Sequence, residues 1–168
     1  MKIGILGGSF DPAHKGHLAI SKEAKRRFKL EKIIWAVTKK NPLKVESKTP
    51  ISKKIKDCKK IIGLNSFIKV KFYENIIKSN KTIDLINYLK KNKNIEIFFL
   101  MGADNLISFH KWHKSKLISQ KCNIIVFDRH GYKKNSLKSK TFKRLNNKTL
   151  TFVEFNKVNI SSSQLRKI

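Results

Sequence analysis

The sequence predicts an α/β protein built on a doubly wound parallel sheet. Three observations carry that expectation. Short apolar runs at residues 2–6, 32–37, 67–72, 95–101 and 123–127 alternate with stretches of helical spacing. The first run ends at Gly7-Gly8 and the fourth at Gly102, where a strand would give way to a turn. The length of 168 residues, 40% of them apolar, suits one domain over 1–168 with an ordinary core and no repeat or long linker. Strands that alternate with helices pair in parallel, giving a Rossmann-like arrangement. Ligands of such sheets bind at the carboxyl ends of the strands.

The elements follow in order. Residues 2–6 read as a buried strand that closes on the double glycine. Residues 16–29 read as a helix, with Leu18, Ile20, Ala24 and Phe28 near one face. Residues 32–37 make a second strand, and Pro42 and Pro50 mark 39–50 as a loop. Over 51–64, Ile51, Ile55, Cys58, Ile61 and Ile62 keep helical spacing, and Gly63 stands near the end. The stretch 67–72 is rich in β-formers, and 82–91 is helical through Ile83, Leu85, Ile86 and Leu89. The most apolar strand is 95–101. Two short helices should follow, one around Leu106 and one over 112–118. A strand over 123–127 comes next, and Val153 should begin a last short one.

Composition narrows the function. Net charge is +28, from 39 Lys and Arg against 11 Asp and Glu. Such a field attracts polyanions. The lysines are spread along the chain, however, and Lys, Asn and Ile abound throughout, so amino-acid usage explains the charge better than a nucleic-acid stripe. Aromatics interleaved with basic residues, the mark of a single-strand binder, do not occur. Anionic substrates such as nucleotides are favoured on both readings. Cys58 and Cys122 form no CxxC and fit a reducing compartment. The chain begins without a signal-like apolar segment and has no membrane-length run, so a soluble cytoplasmic protein is expected. The sequence leaves a homo-oligomer open.

Two segments carry the chemistry. In Gly7-Gly8-Ser9-Phe10-Asp11-Pro12-Ala13-His14-Lys15-Gly16-His17, the glycines let backbone approach a ligand closely. The helix opening near Gly16 offers free N–H groups and a positive dipole end to phosphate. His14 and His17 stand three residues apart, so both can face one anion and donate to phosphoryl oxygens. A zinc pair would need third and fourth ligands, which do not occur at suitable spacing. The second segment is Ile160-Ser161-Ser162-Ser163-Gln164-Leu165-Arg166. Ser161-x-x-Gln164 reads as a helix capping box, and the forked donors of Arg166 suit phosphate.

The first segment resembles the (His/Thr)-x-Gly-His signature of the nucleotidylyltransferase superfamily, and the second its Ile-Ser-Ser-x-x-x-Arg motif. Within the superfamily the chain is most similar to the bacterial nicotinate-nucleotide adenylyltransferases. Met101-Gly102-Ala103-Asp104-Asn105-Leu106 followed by Trp112 resembles that family's Gly-x-Asp-x-Leu…Trp segment. Thr82-Ile83-Asp84 resembles part of its Ser-Tyr-Thr segment, and Arg129-His130-Gly131 its Arg-Pro-Gly. The chain also departs from the pattern. Asn41-Pro42-Leu43-Lys44 stands for Pro-Pro-His-Lys, Lys81 for a tyrosine, no second aromatic follows Trp112, and two residues follow Arg166 where the family continues with a helical segment.

The resemblance implies adenylyl transfer from ATP to nicotinate mononucleotide, giving deamido-NAD and pyrophosphate. It implies His14, His17 and Arg166 as catalytic groups. Gly7, Gly8, Ser9, Phe10, Gly16, Gly102, Asp104, Ser161, Ser162 and Ser163 would hold ATP. Lys44, Thr82, Trp112, His113 and Arg129 would meet the pyridine mononucleotide, with Trp112 stacking on its ring. Mg2+ would ride on the ATP phosphates, with no dedicated carboxylate cage. Taken alone, Trp112 reads as readily as core or surface cover as it does as a stacking residue, Asp104 reads as a helix N-cap, and His113 reads as a surface residue. Two other acceptors stay open, 4′-phosphopantetheine and nicotinamide mononucleotide, as does a basic nucleic-acid-binding module without catalysis.

Overall fold

The computed structural model describes residues 1–40 and 47–155. Its strands are β1 (Lys2–Gly8), β2 (Lys32–Val37), β3 (Ile68–Lys71), β4 (Glu96–Gly102), β5 (Asn123–Phe127) and β6 (Leu150–Val153). They form one sheet in the order β3-β2-β1-β4-β5-β6, with every neighbouring pair parallel. The helices are α1 (Lys15–Phe28), α2 (Ile51–Ile62), α3 (Glu74–Ile77), α4 (Thr82–Leu89), α5 (Ala103–Ser108), α6 (Ser115–Lys121), α7 (Lys133–Leu137) and α8 (Lys140–Leu145), with a 3-10 turn at Phe109–Lys111.

Alternation along each strand sorts the core into two layers. Ile3, Ile5, Ile34, Ala36, Ile97, Phe99, Ile124 and Val126 pack on one face beneath Ile83 and Ile86 of α4, Leu106 of α5 and Ile118 of α6. Leu6, Ile33, Trp35, Val37, Phe98, Leu100, Ile125 and Phe127 pack on the other, under Ala24 of α1 and Cys58 of α2. This is the doubly wound sheet that the alternation of runs predicts. Because the central strands are covered on both sides, they read in sequence as continuous apolar runs.

The chain order reverses between β1 and β4. Their ladder stops at Leu6 and Leu100, although β1 runs on to Gly8 beside Val37 and β4 runs on to Gly102 beside Phe127. Beyond that pair no ladder joins the two central strands, and a crevice can open at their carboxyl ends. Gly7 and Gly8 are therefore strand residues rather than the turn expected of them. Pairing with Ala36 and Val37 holds them extended.

Other expectations need correcting. The helix expected over 112–118 begins only at Ser115, because Lys114 takes a left-handed conformation (φ 53°) and Trp112 is extended. The last strand ends at Val153 instead of beginning there. Helices α3, α7 and α8 were not expected; each has four to six residues, too few for a periodic signal. Among the described residues no helix is long and apolar enough to cross a membrane.

Candidate active site

Strand β1 delivers the glycine segment to the crevice, and α1 leaves from it. His14 is the N-cap of α1. Its Nδ1 accepts the Gly16 N–H at 3.1 Å, and its own backbone N–H donates to His17 Nδ1 at 3.1 Å. Two imidazoles thus form the reciprocal cap that a serine and a glutamate usually make. The consequence is chemical. With both Nδ1 atoms accepting, each neutral ring carries its proton on Nε2. The rings lie 3.8 Å apart, so two Nε2–H donors belong to one small patch at a helix N-terminus. Burial, with help from the Arg129 charge, pulls the His14 pKa down to about 4, so this ring is uncharged at neutral pH.

Support for His17 comes from below. Phe10, in a left-handed conformation (φ 46°) and almost fully buried, lies 4.7 Å from the His17 ring and stacks on Trp35 at 5.0 Å. That backbone is sparsely populated for a bulky residue and is kept only where surroundings enforce it. The Trp35 indole N–H donates to Ser21 Oγ at 2.8 Å, and that hydroxyl donates to the His17 carbonyl at 2.9 Å. Asp11 anchors the same segment by accepting from Ser47 Oγ at 2.5 Å and Thr49 Oγ1 at 2.7 Å. Trp35 and Ser21 escape a sequence reading because each looks like an ordinary core position of its element.

At the ends of β4 and β5 the expected residues also converge. Arg129 Nη1 meets Asp104 Oδ2 at 2.6 Å. The N-cap of α5 is Gly102, so Asp104 is not the cap expected of it; it sits in the first turn. A Cβ on Gly102 would fall 2.6 Å from Asp104 Oδ1, so the glycine makes room for this carboxylate. Asp104 Oδ1 is buried and has no hydrogen-bond partner.

At the end of β1 lies a cavity of about 350 Å³. Gly7 and Gly8 line it, with Thr38 and Lys40 beyond β2, Asn80, Lys81 and Thr82 at the start of α4, and Phe99, Asn105, Lys111, Trp112, His113 and Ile118. Trp112 stands edge-on to Phe99 at 5.9 Å and lies 5.2 Å from Phe109. His113, expected at the surface, is exposed and also borders this cavity. Ser79 organises the α4 entrance: its hydroxyl donates to Asp84 Oδ2 at 2.6 Å and accepts the Lys81 N–H at 3.1 Å. Among the described residues the lining carries three lysines and no carboxylate, an arrangement suited to an anion. Sequence reasoning missed Thr38, Asn80, Phe99 and Asn105, which reach the cavity only through folding. Lys44, Ser161, Ser162, Ser163 and Arg166 lie outside the described residues.

The fold thus offers a helix N-terminus suited to an anion and, at the end of β1, a partly apolar pocket lined by lysines. A family model described as cytidylyltransferase-like matches residues 5–168. A probable nicotinate-nucleotide adenylyltransferase of Pelagibacter ubique is 66% identical over 167 residues, covering 99% of this chain and 93% of the relative. One from Agrobacterium fabrum is 37% identical over 133 residues, covering 78% and 71%. The nicotinic acid mononucleotide adenylyltransferase of Plasmodium falciparum, solved with NaAD, superposes with a TM-score of 0.81 at 23% identity, covering 99% of this chain and 82% of that one. That last likeness speaks for the fold. The motif, the sheet order and these relatives agree: the chain belongs to the cytidylyltransferase-like family, on its nicotinate-nucleotide adenylyltransferase branch.

Proposed function

We propose that this protein transfers the adenylyl group of ATP to nicotinate mononucleotide, forming deamido-NAD and pyrophosphate. The observation that carries the reading is the pair of Nε2–H donors at the start of α1, together with a lysine-lined cavity bordered by Gly7, Gly8 and Trp112. An oxygen of the acceptor 5′-phosphate attacks the α-phosphorus of ATP. The bond from that phosphorus to the β-phosphate bridge breaks, and pyrophosphate leaves with the electron pair. The attacking phosphate is already ionised near neutral pH, so the protein needs no strong general base. Its work is positioning and charge stabilisation.

In this reading His14 and His17 donate to phosphoryl oxygens as charge grows there, and His17 is the leading stabiliser. Gly7, Gly8, Ser9, Phe10 and Gly16 shape the phosphate side, and Ser161, Ser162, Ser163 and Arg166 grip it from the other. Gly102 and Asp104 serve the nucleoside of ATP. Trp112 stacks on the pyridine, while Thr82, His113, Arg129 and Lys44 serve the acceptor. The three lysines that line the cavity support the acid over the amide. Mg2+ enters as part of MgATP and neutralises phosphate charge when bound. Among the described residues no three His, Cys, Asp or Glu gather into a group that could hold a metal ion.

The test is pyrophosphate release with MgATP and, separately, nicotinate mononucleotide, nicotinamide mononucleotide and 4′-phosphopantetheine. Turnover with the first is expected to dominate. His17→Ala should then lower kcat by about 10²-fold or more, the scale of one lost transition-state donor. Turnover with phosphopantetheine alone would overturn the acceptor assignment, and an unchanged kcat in the variant would remove His17 from its role.

A further inference from the structure

Two charged side chains outside the cavity lining hold the segment that carries Thr38 and Lys40 into it. Lys54, on α2, is 1% exposed, which is rare for a lysine. Its ammonium donates to the Thr38 carbonyl at 3.2 Å and to the Lys39 carbonyl at 3.1 Å. Glu74, the first residue of α3, accepts the Lys39 backbone N–H on Oε2 at 3.4 Å. Its other oxygen is buried without a hydrogen-bond partner, and burial pushes its pKa up. A third tie completes the grip, because the Thr38 N–H donates to the Gly8 carbonyl at 3.0 Å.

Core stability alone does not account for this ammonium. An apolar side chain of similar length would fill the space without the desolvation cost of a charge. What the ammonium does, and methionine cannot, is hold two successive carbonyls at the end of β2. The held peptides lead directly to cavity-lining atoms. Thr38 Oγ1 is itself buried and without a hydrogen-bond partner, so its position matters to whatever enters.

We propose that Lys54 and Glu74 are positioning residues for the acceptor nucleotide: they fix the backbone at 38–39 and so set Thr38 and Lys40 against it. Neither touches substrate. The proposal rests on the adenylyl-transfer reading for the identity of the acceptor. Because His14 and His17 are held by a separate network through Phe10, Trp35 and Ser21, the effect should fall on one substrate only.

The test compares Lys54→Met, Glu74→Ala and Glu74→Gln with the parent protein in steady-state kinetics and in calorimetric binding of nicotinate mononucleotide. Lys54→Met should raise the acceptor KM and Kd by about tenfold, as misplaced contacts do, with kcat and the ATP KM within about twofold. Glu74→Ala should shift the same constants in the same direction. Glu74→Gln, whose amide oxygen can still accept the Lys39 N–H, should stay close to the parent. An unchanged acceptor KM in Lys54→Met would overturn the proposal. So would a parallel rise for both substrates, which would mean general loosening. If Lys54→Met does not fold, the Glu74 pair decides alone: equal behaviour of Ala and Gln rejects the grip. A parent protein that turns over only a different acceptor would sink the functional reading instead, and the clamp would then be judged with that acceptor.

Discussion

At the scale of the residue, His14 and His17 divide their labour between two nitrogens. Nδ1 of each builds the helix start, and Nε2 of each neutral ring carries the proton. Aspartate would cap α1 as well as histidine does, but its charge would repel a triphosphate. A neutral imidazole caps and still donates. Keeping it neutral has a consequence for stability. The His14 pKa is about 4 in the folded protein against 6.5 for the free side chain, so between those values the unfolded chain binds more protons. The stability held above pH 6.5 is therefore lost progressively as pH falls towards 4. His14→Asn keeps a capping oxygen but no titrating ring. Its urea midpoint should fall less steeply than the parent's over that window, and equal slopes would show that His14 is not desolvated as described. The motif was legible because it is local: cap, glycine and both rings lie within four residues. Trp35, Ser21, Thr38 and Phe99 were not, since nothing in their own surroundings distinguishes a support or a pocket wall from core. The pairing of Asp104 with Arg129 was equally hidden, because it joins the ends of two strands 25 residues apart.

At the scale of the element, the strands were easier to read than the helices. Strands β2 and β5 have the bounds that their apolar runs announce, because burial on both faces leaves no room for polar interruption. Helices α3, α7 and α8 are single turns or little more, stabilised by packing instead of a repeating stripe, and of the three α8 alone has a side-chain N-cap, from Ser139. Nor does any composition rule announce a lysine at φ 53°, which delays α6 and leaves Trp112 outside a helix at the cavity. The central strand carries a tighter constraint. Gly4 sits in β1, where a Cβ would come within 2.9 Å of Leu30 Cδ1 and 3.0 Å of Ile33 Cγ1. Leu30 and Ile33 are both buried and pack in the layer beneath α1, so neither can withdraw into solvent. Gly4→Ala should destabilise the protein by about 1–3 kcal/mol, the usual cost of overpacking. Denaturant unfolding reads this directly. A change within about 0.5 kcal/mol, typical of unconstrained surface positions, would mean that the layer has slack at this point.

At the scale of the whole molecule, the excess of 28 positive charges must act on both folding and substrate. Few carboxylates are available to offset it, and several are already engaged locally: Glu23 with Arg26 and Arg27, Asp57 with Lys53, Asp104 with Arg129 and Glu154 with Lys133. The remaining lysines repel one another, and that repulsion weakens the compact state. The same field draws in anionic nucleotides. Salt separates the two effects, since screening shortens the reach of each charge from about 30 Å at 0.01 M to about 10 Å at 0.1 M. Raising NaCl across that range should raise the melting temperature, because repulsion is relieved. It should also raise the KM for MgATP and for the acceptor, because attraction is lost. The two responses have opposite practical signs, so a single nonspecific salt effect cannot produce both. Thermal melts and initial rates in one buffer series measure them together. If the melting temperature rises while both KM values stay flat, the field is too evenly spread to guide substrate. The lysines lining the cavity would then act only on contact, and the rest of the charge would reflect amino-acid usage alone.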